Sequence, residues 1–383
     1  MRKKVKALRF ASLFLLILLL LTAPVLGATP SFSEDSETVM LRGRIITVEN
    51  MEPDEAVKEF VNMEQLATVE ITSGPYKGEQ HTFINSLMGH PLFDMKLTEG
   101  RRVILWGEVS EDGALRAIYL QDYVRDIYVY LVIAIFVLVL ILVGGRKGFI
   151  TVLTLLFTLF AVARVLLPLI LKGYSPIPVT IIVAAVITLV TLVAIGGLQR
   201  KTYAAVIGTV GGVLVAGILA LTIGQAASLT GFSSEEAQML QFMEVGTIDI
   251  RGLLFAGIII GALGAVMDIA MSISAASHEI YCVNPTLCRQ AQMKSAMNVG
   301  RDVMGTMANT LILAYVGTSM SLLLLYMGYA TPYMSIINSD LVATEVVRAL
   351  AGSIGLITAI PLTALSSSLL TIRTPKETDM PVK

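Results

Sequence analysis

From residue 127 onward the apolar residues come in runs of membrane size: 127–145, 149–171, 177–198, 203–226, 252–273, 304–327 and 346–370. A helix needs roughly 20 residues to cross a hydrocarbon core of about 30 Å, so the pattern predicts seven spans. Residues 30–125 follow a different period. Apolar and polar positions alternate over 39–48, 67–71, 80–84, 102–109 and 115–120, the mark of half-buried strands. Turn residues separate them: Ser73-Gly74-Pro75, Lys77-Gly78, Glu99-Gly100 and Glu111-Asp112-Gly113. Short strands this closely spaced predict a small all-β barrel or sandwich, with an OB-like barrel among the forms open to it.

The N-terminus has a third pattern. Arg2, Lys3, Lys4, Lys6 and Arg9 precede the apolar run 10–21, followed by Thr22, Pro24 and the small-residue stretch Val25-Leu26-Gly27-Ala28. Two readings stand: a secretory signal cut after Gly27 or Ala28, or an uncleaved anchor helix, since 10–26 outruns the roughly 7–15 apolar residues of a signal. Both keep the basic end inside and export residue 30 onward. The seams between the later runs then fix a topology. Arg146-Lys147, Arg200-Lys201, Arg289, Lys294, Arg301, Arg373 and Lys376 fall on one side. The opposite loops carry Glu235, Glu236, Glu244, Asp249, Asp340 and Glu345. The positive-inside rule puts the cationic side in the cytoplasm. The expected organisation is a signal peptide or anchor helix at 1–28, an extracytoplasmic β-rich domain at 30–125, a helical transmembrane bundle at 127–373 and a cytoplasmic tail at 374–383. Between the spans, the acidic and apolar residues of 228–251 fit a short amphipathic helix, and 274–303 is the largest cytoplasmic feature.

Composition agrees and excludes other classes. Of 383 residues 55% are hydrophobic and 15% charged, against about 25% charged in soluble domains, and the mean hydropathy is +0.76. A net charge of −1 offers no basic footprint for nucleic acid. The two cysteines, Cys282 and Cys288, cannot build a disulfide framework and fall on the cytoplasmic side, where thiols stay reduced. There is no phosphate-cradling Gly-x-x-x-x-Gly-Lys-Ser/Thr. His278-Glu279 lacks the second histidine of a zinc-protease helix, and His81 and His90 are isolated in the exported domain. No nucleophile–base pair stands out, so neither an enzyme nor a cofactor is expected. The partners are the lipid bilayer and, beyond it, a second copy of the chain or an envelope protein.

Charged groups inside a span cost at least about 2.5 kcal/mol, so each asks for an account. Arg164, with only seven residues between it and Lys172 in an apolar run, has length enough to snorkel outward. Glu345 and Arg348, three apart, can pair near the lipid interface. Asp268 is the sharper case. Ser272 and Glu279, at offsets of +4 and +11, share its helix face, and the spacings Gly257-x-x-x-Gly261 and Gly208-x-x-x-Gly212 permit close helix contact. At ~1.5 Å per residue Asp268 lies about 24 Å from the outer end of its helix. The next helix brings Asn309 and Thr310 to a similar depth, and the last brings Thr363, Ser366, Ser367 and Ser368. Asp268, Ser272, Glu279, Asn309, Thr310, Thr363 and Ser366 therefore form the candidate site, either lining a path or cementing helix contacts.

These same residues resemble a known pattern. Gly264-Ala265-Val266-Met267-Asp268-Ile269-Ala270-Met271-Ser272-Ile273, with Glu279-Ile280, resembles the signature of the YibE/F-like bacterial membrane proteins. Gly300-Arg301-Asp302-Val303-Met304-Gly305-Thr306-Met307-Ala308-Asn309-Thr310-Leu311, continuing to Ala314-Tyr315, is similar to that family's second hallmark. Ser73-Gly74-Pro75-Tyr76-Lys77-Gly78 and Ile360-Pro361-Leu362-Thr363 are also similar, whereas Arg164 and His278 depart from the pattern. The likeness covers most of 40–370 and implies the topology and a permease-like description, with no substrate. Two functions are carried forward: a transporter or channel for a small solute or ion, and an envelope scaffold or sensor whose exported domain binds a partner protein.

Overall fold

Alternation becomes a sheet in the first part of the chain. The computed structural model describes residues 37–53, 58, 60–90, 94–110, 112–242 and 248–371; the signal or anchor segment and the C-terminal tail lie outside them. Five antiparallel strands, β1 (Glu37–Met51), β2 (Met63–Ile71), β3 (Gln80–Leu87), β4 (Arg102–Val109) and β5 (Leu115–Tyr123), form one sheet in the order β3-β2-β1-β4-β5. The long β1 is central, pairing Val48 with Ala67 on one side and Leu41 with Leu105 on the other. Alternate residues turn inward: Leu41, Ile45, Val69, Ile71, Val103, Leu105 and Ile118 make the core, closed by Leu97 from the β3–β4 connection. The sheet curves into a half-barrel, and its register shifts, between Ile45 and Thr47 and twice between β4 and β5, mark the irregularities that bend strands. Gly43 sits at the concave centre, where a side chain would run into Val69 and Leu105.

One buried polar residue straps that connection to the sheet. Gln65 donates to Asn50 Oδ1 (3.0 Å) and the Leu97 carbonyl (3.3 Å), and it accepts from Leu97 N–H (2.8 Å) and Asn85 (3.2 Å). Every buried polar atom of Gln65 is thus satisfied, as burial demands.

Helices follow: α1 (Asp126–Leu171), α2 (Pro176–Gly196), α3 (Arg200–Ala226), α4 (Glu235–Leu240), α5 (Ile250–Val283), α6 (Arg289–Thr318), α7 (Met320–Gly328), α8 (Tyr333–Ile337) and α9 (Asp340–Thr371). The described residues divide into two compact units, the first ending at Val139 and the second beginning at Leu140. Helix α1 holds both of the first two predicted runs. Gly145, at φ 53° and ψ −127°, breaks it where Gly144-Gly145 offers no side chain to resist. Further on, residues 162–166 widen to a π turn, with Leu167 N–H bonded to Val162 O. Pro168 explains it, since its ring nitrogen cannot bond the carbonyl of exposed Arg164 four residues back.

Among the described residues, five helices are long and apolar enough to cross a membrane: α1, α2, α3, α5 and α9. Helix α6 and helix α7 meet that test only as a pair, bent by 59° at Ser319. The polar segment 274–303 is helical almost throughout. Helices α5 and α6 extend past the apolar runs and leave only residues 284–288 as the turn, around Pro285. Hydropathy marks where a helix meets lipid, not where its hydrogen bonds stop. Between α3 and α5, the expected amphipathic segment contains α4, capped by Ser234 accepting from Ala237 N–H.

The bundle core is built on small residues. Ala204, Gly208, Gly212, Ala216, Ala220 and Gly224 recur every four residues along α3, all buried, and Ala351, Gly355, Ala359, Thr363 and Ser367 do the same along α9. The two helices run antiparallel, with the Arg200 guanidinium donating to the Leu370 carbonyl (3.0 Å). A methyl at Gly212 would lie 2.6 Å from Gly355 O, and one at Gly355 would lie 2.7 Å from Gly212 O, so the backbones touch. Membrane helices associate through such contacts because lipid supplies no hydrophobic drive between them. Against this seam packs α5, and Ile259, Val266, Ile269 and Ile273 join the same apolar core as Phe157 and Ile170 of α1.

Candidate functional site

Helix α5 carries the strongest candidate, and its local rules are clear. Asp249 caps it by accepting from Gly252 N–H (2.8 Å). Its apolar side (Leu254, Ile258, Ala262, Val266, Ile269, Ile273) is buried, and the opposite stripe (Gly257, Gly261, Gly264, Asp268, Ser272, Glu279) is exposed. The expected sharing of one face by Asp268, Ser272 and Glu279 is what the helix presents. Gly257 and Gly264 have open space at the position of a side chain. Among the described residues the Gly257-x-x-x-Gly261 spacing therefore does not press α5 against another helix along its length: Gly257 meets nothing, and Gly261 meets Tyr315 of α6.

Two contacts set the antiparallel register of α5 and α6: Tyr315 over Gly261, and Ile273 beside Gly300. They bring Asp268 level with the stretch from Gly305 to Ala308, within about one turn of Asn309 and Thr310. Both of those residues are exposed. Thr310 donates to the Thr306 carbonyl of its own helix (2.8 Å). Among the described residues, Asp268, Ser272, Glu279 and Asn309 form no hydrogen bond or ion pair.

Thr363 and Ser366 go elsewhere. Thr363 is fully buried against Gly208 of α3, with its hydroxyl unpartnered, and Ser366 donates to the Leu362 carbonyl (2.7 Å). Depth along α9 was legible, but the rotation that turns Thr363 toward α3 was not. The structure thus brings Asp268, Ser272 and Glu279 onto one face with Asn309 and Thr310 close in level, and it leaves Thr363 and Ser366 outside that group.

Other polar groups sit where the residue pattern carries less signal. Thr202, Thr209, Thr363 and Ser367 bury unpartnered hydroxyls on α3 and α9. Glu345 and Arg348 pair as expected, with Nη1 to Oε1 at 2.8 Å, but Glu345 Oε2 and Arg348 Nε are enclosed with no partner. Glu345 lines an apolar cavity of about 240 Å³ at the α6–α7 bend, with Ile312, Tyr315, Ser319, Leu322 and Val346. The only warning of this in the sequence was Gly317-Thr318-Ser319, where an apolar run weakens as a helix. Near the α5–α6 turn, Gln292 is buried and donates to the Ser277 carbonyl (3.2 Å) and hydroxyl (3.1 Å). His278 faces Cys282 at 3.8 Å. No group of three or more His, Cys, Asp or Glu among the described residues could hold a metal.

Apolar helices of membrane length, packed through glycine and carrying ionisable groups within them, define a helical membrane-embedded protein. The family model for YibE/F-like proteins matches residues 132–373, and the chain belongs to that family. No match emerges among curated proteins or among solved structures.

Proposed function

We propose that the chain is a permease-like transporter or channel that moves a small solute or ion across the cell membrane. The observation that carries this reading is Asp268, a carboxylate within a candidate span that makes no polar contact among the described residues. Such a group is retained at a cost, and lining a solute path is the commonest reason for it. The bend between α6 and α7 adds support, because broken membrane helices recur at transport sites. In this reading α1 counts as two spans about Gly145 and α6–α7 as one bent span, giving seven. The cationic seams lie in the cytoplasm with the C-terminus, residues 30–125 are exported, and the basic N-terminal segment is a signal or anchor. No catalytic role is part of it.

The test is flux of protons and monovalent cations through full-length protein in liposomes, alone and with candidate solutes. Asp268→Asn keeps the shape and one hydrogen-bonding oxygen; it should leave folding intact and abolish flux. Equal flux through the variant would sink the role of Asp268, and flux no greater than that of empty liposomes would sink transport.

One observation favours the scaffold or sensor instead. Met40, Trp106 and Tyr119 are cross-strand neighbours on the outer face of the half-barrel and are 65%, 46% and 53% exposed. A strand order with β1 at the centre is that of an OB-like barrel opened between β3 and β5. In the alternative reading this row docks an envelope protein, and Trp106→Ala should release that partner without changing the fold.

A further inference from the structure

The first unit gathers arginines where its sheet runs into the first apolar helix. Arg42 and Arg44 project from β1, and Arg102 stands directly opposite Arg44 in the β1–β4 ladder. Arg101 and Arg125 lie over the ring of Tyr123, at 4.4 and 5.7 Å from its centroid. Two carboxylates answer these five cations: Asp126 takes Arg42 (2.7 Å) and Asp122 takes Arg125 (2.6 Å). Among the described residues, Arg44, Arg101 and Arg102 form no ion pair, and Glu70, across from Arg44 on β2, does not reach it. Like charges directly opposite in a ladder repel, so Arg44 and Arg102 favour an anion between or beside them.

Three of these arginines, Arg101, Arg102 and Arg125, border an open groove of about 1090 Å³ whose walls differ in character along its length. Arg101, Arg102, Arg125 and Tyr123 form one end, and Tyr128 and Leu131 of α1 continue the other. Helix α1 is apolar from Ile127 on, so the cationic end lies at the boundary between water and lipid. Tyr128 and Tyr130 occupy the level that interfacial aromatics prefer.

We propose that this groove binds an anionic phospholipid, its phosphate held by Arg101 and Arg102 and its acyl chain lying along Ile127, Leu131 and Ala134. Guanidinium forks suit a phosphodiester, and the apolar continuation distinguishes a lipid from a soluble anion.

The experiment uses full-length, delipidated protein in detergent. Native mass spectrometry follows titrations with phosphatidylglycerol, phosphatidylcholine and inorganic phosphate. The wild type should take phosphatidylglycerol in preference to phosphatidylcholine, and Arg101→Gln/Arg102→Gln should weaken the former about tenfold or more while leaving the latter unchanged. Arg101→Lys/Arg102→Lys should recover part of the loss. Equal binding of phosphatidylglycerol by wild type and the glutamine variant overturns the proposal. So does inorganic phosphate binding as tightly and with the same arginine dependence, which would make the ligand a soluble phosphate. Should the double variant fail to fold, Arg102→Gln alone, at an exposed strand position, carries the same comparison.

Discussion

Replacing Gly212 with alanine tests whether α3 and α9 are held backbone to backbone. The added methyl would sit 2.6 Å from Gly355 O, 2.8 Å from Ala359 Cβ and 3.0 Å from Val266 Cγ1. Carbon–oxygen contacts settle near ~3.3–3.6 Å, so the helices must part by more than half an ångström. A gap of ~0.5–1 Å already forfeits a quarter to a half of the dispersion energy along the contact. Overpacking of this kind costs about 1–3 kcal/mol, offset by up to ~1 kcal/mol from the better helix propensity of alanine. The net expectation is a loss of about 1–2 kcal/mol. Gly264→Ala is the control, since it changes the same residue type in a helix where nothing lies within 4 Å of the new methyl; it should cost nothing. Unfolding of the full chain in mixed micelles with rising SDS fraction, followed by circular dichroism, measures both. Gly355→Ala should resemble Gly212→Ala, and the pair should be less than additive because one displacement serves both methyls. If Gly212→Ala is as stable as Gly264→Ala, the contact is not what holds these helices.

Gln65→Ala removes four hydrogen bonds from a buried position and should destabilise the half-barrel by about 2 kcal/mol, with faster amide exchange at Leu97 as the local readout. The Asp122 carboxyl is held below the ordinary aspartate range, first by its hydrogen bond from Arg125, then by the Tyr123 N–H and the nearby charge, against a small opposing effect of burial. Its folded value is depressed, so its stabilisation is present above the unfolded value and is lost as pH falls through the folded one. Carboxyl NMR should show a depressed midpoint that Arg125→Gln restores; an unchanged midpoint refutes the pairing. Cys282 and Cys288 are both exposed and, on the proposed topology, should resist membrane-impermeant thiol reagents in whole cells and react once the inner face is opened. Labelling in intact cells would invert that topology.

All five strands were readable because each alternates and because glycines at positive φ, Gly74, Gly78, Gly100 and Gly113, mark the turns between them. The single-faced array of Asp268, Ser272 and Glu279 was legible too, since helical geometry alone dictates it. Contacts between helices were not. Gly208-x-x-x-Gly212 and Gly257-x-x-x-Gly261 look alike in sequence, yet the first is pressed against α9 and most of the second faces open space. Which glycine stripe meets a partner depends on rotations that no single helix encodes. The same ignorance put Thr363 beside Asp268 in the sequence reading, and hydropathy alone hid the polar half of α6.

A seam of touching backbones has one register. Sliding α3 along α9 would drive Ala359 and Thr363 into the main chain at the glycines they now flank, Gly212 and Gly208, so the pair moves as one strut or not at all. Helix α6 is built oppositely: its fully buried positions are Gln292, Ala296, Gly300 and Leu311, Gly305 and Gly317 have empty space beside them, and it turns sharply at Ser319. On the transport reading proposed above, a cycle that exposes Asp268 first to one side of the membrane and then to the other would swing α6 and its bent continuation against that strut.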